Sequence, residues 1–381
     1  MTIKYIVLSG GGPALGLLEY GVIKELSKKN ILKYENIKSL YCTSIGSITG
    51  LIYTLNYDWE WIDDFLIKRP WEKLINFDTN DYLNIFNNKG ILDENFILNC
   101  LKPLLLGKDL NINITLRELY EYTKINLYFY TTELNNFNKI EISHKSHPNL
   151  SLIKAITMSS SVPFLFKPVY YNNNYYLDGG ICINTPINEC LLNEKCNIKE
   201  IIVLENDKNK PIDCSNSFYI NNNYKIKTDS NIDIQSLNLF NYFMYILKKI
   251  FSKVSKLGYQ NSIKISYTIN CSLNFEVVDL KYWYYISKNY SERSYLIDLG
   301  IKCVNNFILD NSSTFLLDNS NSFILDNSST FLLDNSNSFI LYNSSTFLLD
   351  NSNTFLLDNS NTFLLDNSNT FLLDNSNITN L

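Results

Sequence analysis

Three short stretches hold residue types whose spacing suits chemistry. In YCTSIGSITGL, residues 41–51, Ser44 stands between a β-like run over 37–42 and a helical pattern over 45–55. A small-x-Ser-x-Gly corner between strand and helix has the form of a nucleophile elbow, whose turn lifts the hydroxyl out of the sheet. Gly46 supplies the close helix–strand approach, and Cys42 stands where a glycine is usual. An ordinary strand–helix junction fits the same residues. In LSGGGPALGLLEYGVIKEL, residues 8–26, Gly10, Gly11 and Gly12 lie between the first strand and the first helix. Consecutive glycines can turn backbone N–H groups toward one point beside a helix N-terminus, where a phosphate or an acyl-transfer oxyanion would bind. A dinucleotide fingerprint would need glycine at Leu15 rather than at Gly16, and no Gly-Lys-Ser/Thr ending marks a P-loop. A plain structural turn is the alternative. In YYLDGGICINTP, residues 175–186, Asp178 ends a strand-like run ahead of Gly179 and Gly180. Such a turn either presents the carboxylate at the sheet edge or closes a type I′ hairpin.

The elements that must position these groups alternate. Strand patterns over 3–8, 37–42, 125–131 and 199–204 are separated by helical patterns over 15–28, 45–55 and within 58–121. That order predicts a parallel or mixed sheet covered by helices, a three-layer α/β/α arrangement. The chain then divides into a core over 3–205, a polar loop or insertion over 206–230, a mainly helical part over 231–306 and a tail over 307–381. The 231–306 part carries one strand-like run, 263–271.

In the tail, Phe recurs every eighth residue from Phe307 to Phe371, each opening a unit like FLLDNSNT. At ~100° per residue an eight-residue unit drifts about 80° around a helix, so a helix would have no constant apolar face. The reading favoured here is a poorly ordered, expanded repeat; short solenoid-like strands are the alternative, because an even period keeps strand phase.

Composition narrows the classes. The chain has 381 residues, 45% of them hydrophobic, enough for a sizeable core. A net charge of −5 argues against nucleic acid as a partner, although the tail's eight aspartates leave the remainder mildly basic. Eight cysteines without a CxxC pair, and only two histidines, exclude the usual zinc spacings and suggest reduced thiols in a cytoplasmic setting. Neither a signal peptide nor a membrane-spanning run is read from the sequence. Leu237, Phe240, Met244, Leu247, Phe251 and Val254 follow helical spacing with lysines on another face, so 237–257 suits either a sheet-covering helix or a peripheral membrane contact.

A glycine loop, a serine elbow and an Asp-Gly-Gly, in that order, form a signature that resembles the patatin-like phospholipases. The stretch LSLIKAITMSSSVPFLFKPV, residues 150–169, is similar to that family's segment ahead of its catalytic Asp, and Asn184 and Pro186 match its Asn-x-Pro. The resemblance covers about residues 3–190. Two positions depart from the pattern: Cys42 in the elbow, and a loop GGGPALG without the usual Lys or Arg and with one extra residue before Gly16.

The resemblance implies a patatin-like topology and a lipid acyl hydrolase with a Ser44–Asp178 dyad. It also implies Gly10, Gly11 and Gly12 as the oxyanion hole, a membrane phospholipid or other lipid ester as substrate, and no cofactor. No calcium-loop pattern is present either. His144 and His147 precede Asp178 in a polar stretch and read as exposed loop residues rather than general bases. A catalytically silent lipid-binding module and a nucleotide-binding α/β protein are the other classes left open.

Overall fold

The computed structural model describes residues 2–75, 87–207, 265–273 and 280–310, isolated positions between 212 and 249, and short tail strands within 323–373. It divides into two units, Thr2–Phe307 and Ile308–Leu381.

The larger unit is mixed α/β, a central sheet flanked by helices. Strands β1 (Tyr5–Leu8) and β7 (Ile201–Glu205) read YIVL and IIVLE, near-continuous apolar runs. Such runs suit strands covered on both faces, and β1 lies between β2 (Ser39–Thr43) and β7, parallel to both. Strand β3 (Asn126–Glu133) continues the parallel set beyond β2, and β8 (Tyr267–Asn270) continues it beyond β7. Antiparallel β4 (Asn138–Ile142) and β6 (Asn174–Asp178) both pair with β3, and β5 (Val169–Tyr171) pairs with β6. The sheet is therefore mixed.

Tyr5, Val7, Tyr41, Tyr128, Tyr130, Ile201 and Val203 form a buried cluster with Ile187 and Cys190 of helix α7 (Ile187–Glu194). Helix α1 (Gly12–Lys28) packs on α2 (Ile45–Thr54), and α2 also contacts β1 and β2. Helices α3 (Trp59–Lys68), α4 (Glu94–Leu106) and α5 (Leu116–Thr123) fill the span between β2 and β3. Helix α6 (Leu152–Ser160) packs against β3, β6 and α2. Helices α8 (Leu280–Lys288) and α9 (Tyr290–Asp310) follow β8.

Register decides what meets at the sheet's edge. Thr43 pairs with Tyr130, which puts residue 44 level with Thr131, and Thr131 pairs with Asp178. The corner after β2 and the end of β6 thus fall on one line across the sheet, at the carboxyl ends of the parallel strands where open α/β sheets bind ligands.

The hairpin considered at Asp178-Gly179 is not formed there. It lies between β5 and β6, where Asn172 and Asn173 take φ of 46° and 62° as a two-residue turn. Neither β4 nor β5 is among the strands expected from the sequence.

No helix among the described residues is long and apolar enough to cross a membrane. Most of 206–230 and of 237–257 lies outside the described residues. In the smaller unit, β9 to β15 lie between Phe323 and Leu373 and pair in parallel with the next strand but one, Phe331 opposite Phe347 and Phe355 opposite Phe371.

Candidate active site

Ser44 joins β2 to α2 with φ 54° and ψ −123°, a backbone state that costs a non-glycine residue on the order of 1–3 kcal/mol. The surroundings hold it there. A Cβ built on Gly46 would lie 2.8 Å from the Leu8 carbonyl oxygen and 2.9 Å from that of Ser9, so α2 rests directly on the end of β1. The Ser44 N–H donates to Ser159 Oγ at 3.0 Å. Cys42, the departure from the elbow pattern, belongs to β2 and needs no special backbone. Its Sγ lies 2.7 Å from where a Cβ on Gly50 would stand, so a glycine on α2 makes room for the thiol. Burial pushes that thiol far above its ordinary pKa, which leaves it a packing group.

Asp178 faces Ser44. The Ser44 hydroxyl donates to Asp178 Oδ2 at 2.5 Å, and both residues are buried. Asp178 Oδ1 accepts the Gly180 N–H at 2.7 Å, while the Asp178 N–H donates to the Ser161 carbonyl at 2.8 Å. Gly179 passes so close to β3 that a Cβ there would fall 2.2 Å from the Tyr130 carbonyl oxygen. A short 3-10 turn over Gly179–Ile181 follows, which is why no hairpin forms at this Asp-Gly. Burial raises the Asp178 pKa to about 6, against the opposing hydrogen bonds from Ser44 and Gly180.

The glycine loop lies against the elbow: a Cβ on Gly10 would stand 3.0 Å from Ser44 Cβ. Its amides are not equivalent. The Gly10 N–H already donates to the Asn184 carbonyl at 3.3 Å. The Gly10 carbonyl accepts from Asn184 Nδ2 at 3.1 Å and from Asn206 Nδ2 at 3.3 Å. Gly10 is thus clamped by two asparagines, whereas the Gly11 and Gly12 amides, opening α1, take no acceptor among the described residues.

Sequence reasoning did not single out Asn206, Ser159 or Glu19. Glu19 is wholly buried on α1, and its Oε1 accepts the N–H of Ser9, the residue leading into the glycine loop, at 3.1 Å.

The histidines stay apart from the dyad. His144 stacks on Tyr120 with ring centroids 3.8 Å apart, and His147 Nδ1 lies 2.9 Å from Ser146 Oγ. Both are half-buried rather than exposed.

A cavity of about 330 Å³ between α1, α2 and α3, walled by Tyr34, Tyr53, Tyr57 and Trp59, includes none of the site residues. Among the described residues no group of three or more His, Cys, Asp or Glu could hold a metal ion.

Residues 6–191 match the family model described as patatin-like phospholipase. Over 310 residues the chain is 24% identical to an uncharacterized protein of Acanthamoeba polyphaga mimivirus, covering 81% of this chain and 94% of that one. It is 27% identical over 184 residues to a probable lipid hydrolase of Invertebrate iridescent virus 6, covering 48% of this chain and 62% of that one. Among solved structures, VipD from Legionella pneumophila is similar with a TM-score of 0.41 at 16% identity, covering 78% of this chain and 67% of that one. The type III effector ExoU gives 0.32 at 12% identity, with 81% and 53% covered. Ser44, Asp178, the glycine loop and Asn184 all fall inside the matched span, and the chain carries a patatin-like phospholipase family domain over residues 6–191.

Proposed function

We propose that this domain is a lipid acyl hydrolase that cleaves fatty acyl esters, phospholipid among them, through a Ser44–Asp178 dyad. The observation that carries the reading is the 2.5 Å hydrogen bond from Ser44 Oγ to Asp178 Oδ2 at a strained strand–helix corner. Asp178 takes the hydroxyl proton as Ser44 Oγ attacks the ester carbonyl, then returns it to the leaving alcohol. With its pKa raised to about 6, Asp178 is a stronger base than an exposed aspartate yet still mostly ionised at neutral pH. The oxyanion of the tetrahedral intermediate receives hydrogen bonds from the Gly11 and Gly12 amides, each worth on the order of 3 kcal/mol at such a site. Gly10 shapes the loop through its asparagine clamp. Water then attacks the acyl-Ser44 ester; Asp178 takes the water proton and returns it to Ser44 Oγ as the C–Oγ bond breaks and the fatty acid is freed. No step uses a histidine or a metal.

Fluorophosphonate labelling of the purified protein, followed by mapping of the modified residue, tests the assignment. Ser44 is expected to carry the label, and Ser44→Ala to lose both labelling and hydrolysis of a soluble ester while staying folded. Hydrolysis at the wild-type rate by folded Ser44→Ala protein would sink the dyad. A wild-type protein that binds phospholipid vesicles but neither labels nor hydrolyses would be a silent lipid-binding module.

A further inference from the structure

The strained backbone of Ser44 has to be imposed from outside its own turn, and the group placed to do so lies 115 residues away in sequence. Ser159 is wholly buried near the C-terminal end of α6. Its Oγ lies 3.0 Å from the Ser44 amide nitrogen, 2.9 Å from Ser47 Oγ and 2.7 Å from the Tyr130 carbonyl oxygen. A hydroxyl has one proton to donate and two lone pairs to accept with. Ser159 therefore donates to Tyr130 and accepts from both the Ser44 N–H and the Ser47 hydroxyl, so all three of its capacities are used. The Tyr130 carbonyl is also the atom against which the backbone of Gly179 packs, immediately after Asp178. One hydroxyl thus ties the corner bearing Ser44 to the same carbonyl that limits the approach of the Asp178 turn.

We propose that Ser159 is a positioning residue for the reaction: by accepting the Ser44 N–H while anchored on Tyr130, it holds Ser44 Oγ within proton-transfer distance of Asp178. The inference rests on the dyad reading above. It has a consequence for the oxyanion as well. The Ser44 N–H is committed to Ser159, so Ser44's own amide is not one of the oxyanion donors.

Ser47 provides an internal control. It is equally buried and belongs to the same network, but its hydroxyl touches the elbow only through Ser159. Removing it leaves Ser159 bonded to both Ser44 and Tyr130. Removing the Ser159 hydroxyl leaves the Ser44 N–H buried without an acceptor and frees the corner to relax.

The test compares Ser159→Ala, Ser159→Cys and Ser47→Ala in the full chain. It measures kcat and KM on a soluble monomeric ester and the rate of Ser44 labelling by a fluorophosphonate, with near-UV circular dichroism to verify folding. A displacement of the nucleophile by about 1 Å costs on the order of 10²-fold, so Ser159→Ala should lose about that factor in kcat and in labelling rate, with KM within about threefold of wild type. Ser159→Cys, a weak acceptor of similar shape, should fall between, and Ser47→Ala should keep kcat within about threefold. Equal losses in Ser159→Ala and Ser47→Ala, or a folded Ser159→Ala that labels at the wild-type rate, would overturn the proposal and leave the dyad reading intact. Should Ser159→Ala fail to fold, Ser159→Cys decides in the same way: a lower kcat at unchanged KM supports the role, and a wild-type kcat removes it. A wild-type protein that takes no label at Ser44 would overturn the dyad itself, and this proposal with it.

Discussion

Asp178 and Glu19 are both buried carboxyl groups next to loops that end β-strands, and the protein treats them in opposite ways. Asp178 has a donor on each oxygen, the Ser44 hydroxyl on one and the Gly180 N–H on the other. Glu19 has the Ser9 N–H on Oε1, the Thr49 hydroxyl beside it also favours its charged form, and Oε2 has no hydrogen-bond partner among the described residues. Burial raises both pKa values, Asp178 only to about 6 and Glu19 well above its ordinary value. At both sites burial outweighs the hydrogen bonds that favour the charged form, and it does so by more at Glu19. Asp178 therefore remains ionisable near neutrality and can cycle a proton, whereas the net effect of burial at Glu19 favours its neutral form under the glycine loop.

The largest expected effect separates the two acids outright. Asp178→Asn keeps the shape and an oxygen for the Gly180 N–H, but an amide cannot take the Ser44 proton. Its kcat/KM on a soluble ester should fall by ~10²–10⁴-fold, the usual scale for losing a general base. An Asp178→Asn protein with full activity would reduce Asp178 to a turn residue and erase the contrast with Glu19.

The pH profile sharpens the same contrast at smaller scale. Protonated Asp178 cannot accept a proton, so kcat/KM should drop about tenfold per pH unit below about 6 and be level above 7. The limb reports the free enzyme, because kcat/KM does. Activity that stays level down to pH 4.5 would mean that the base is not a carboxyl with a raised pKa.

What the sequence disclosed about this site follows from how local each determinant is. Ser44, Gly46, Asp178 and Gly179 belong to contiguous motifs, and the chain places each at the strand end its motif implies. The apolar runs of β1, β2, β3 and β7 were equally plain, because strands covered on both faces need little alternation. The determinants that escaped notice depend on pairings between distant segments. Ser159 matters because β3 lies between β2 and β6 in a particular register. Cys42 is tolerated because Gly50 sits opposite it on α2. Gly10 lost its expected free N–H because the carbonyl of Asn184, 174 residues on, reaches it first. Three serines in a row at the end of a buried helix were the one available signal for Ser159. Strands β4 and β5 are short and only partly buried, and the Asp-Gly at 178 drew the hairpin reading away from Asn172 and Asn173, where the turn is.

The smallest expected effect belongs to Glu19, and it tests the other half of the comparison. If Glu19 is a neutral prop, Glu19→Gln copies its charge state and keeps an oxygen for the Ser9 N–H, so kcat/KM should stay within about twofold of wild type. Stability should respond instead. Burial holds the folded pKa well above the ordinary glutamate value of 4.5, so between those two values the folded protein holds a proton that the unfolded chain has released. Stability then falls as pH rises through that window, because the slope follows the protons bound by the unfolded state minus those bound by the native state. The contribution is fully present below about pH 4.5 and lost as pH climbs toward the folded pKa. Glutamine has no proton to release, so Glu19→Gln should flatten this part of the profile and be at least as stable as wild type at pH 8. Urea unfolding of both proteins from pH 5 to pH 8 measures the two slopes directly. A Glu19→Gln protein with an unchanged slope and lower stability at pH 8 would show that Glu19 is ionised in the native state, and the two acids would then differ in position rather than in charge.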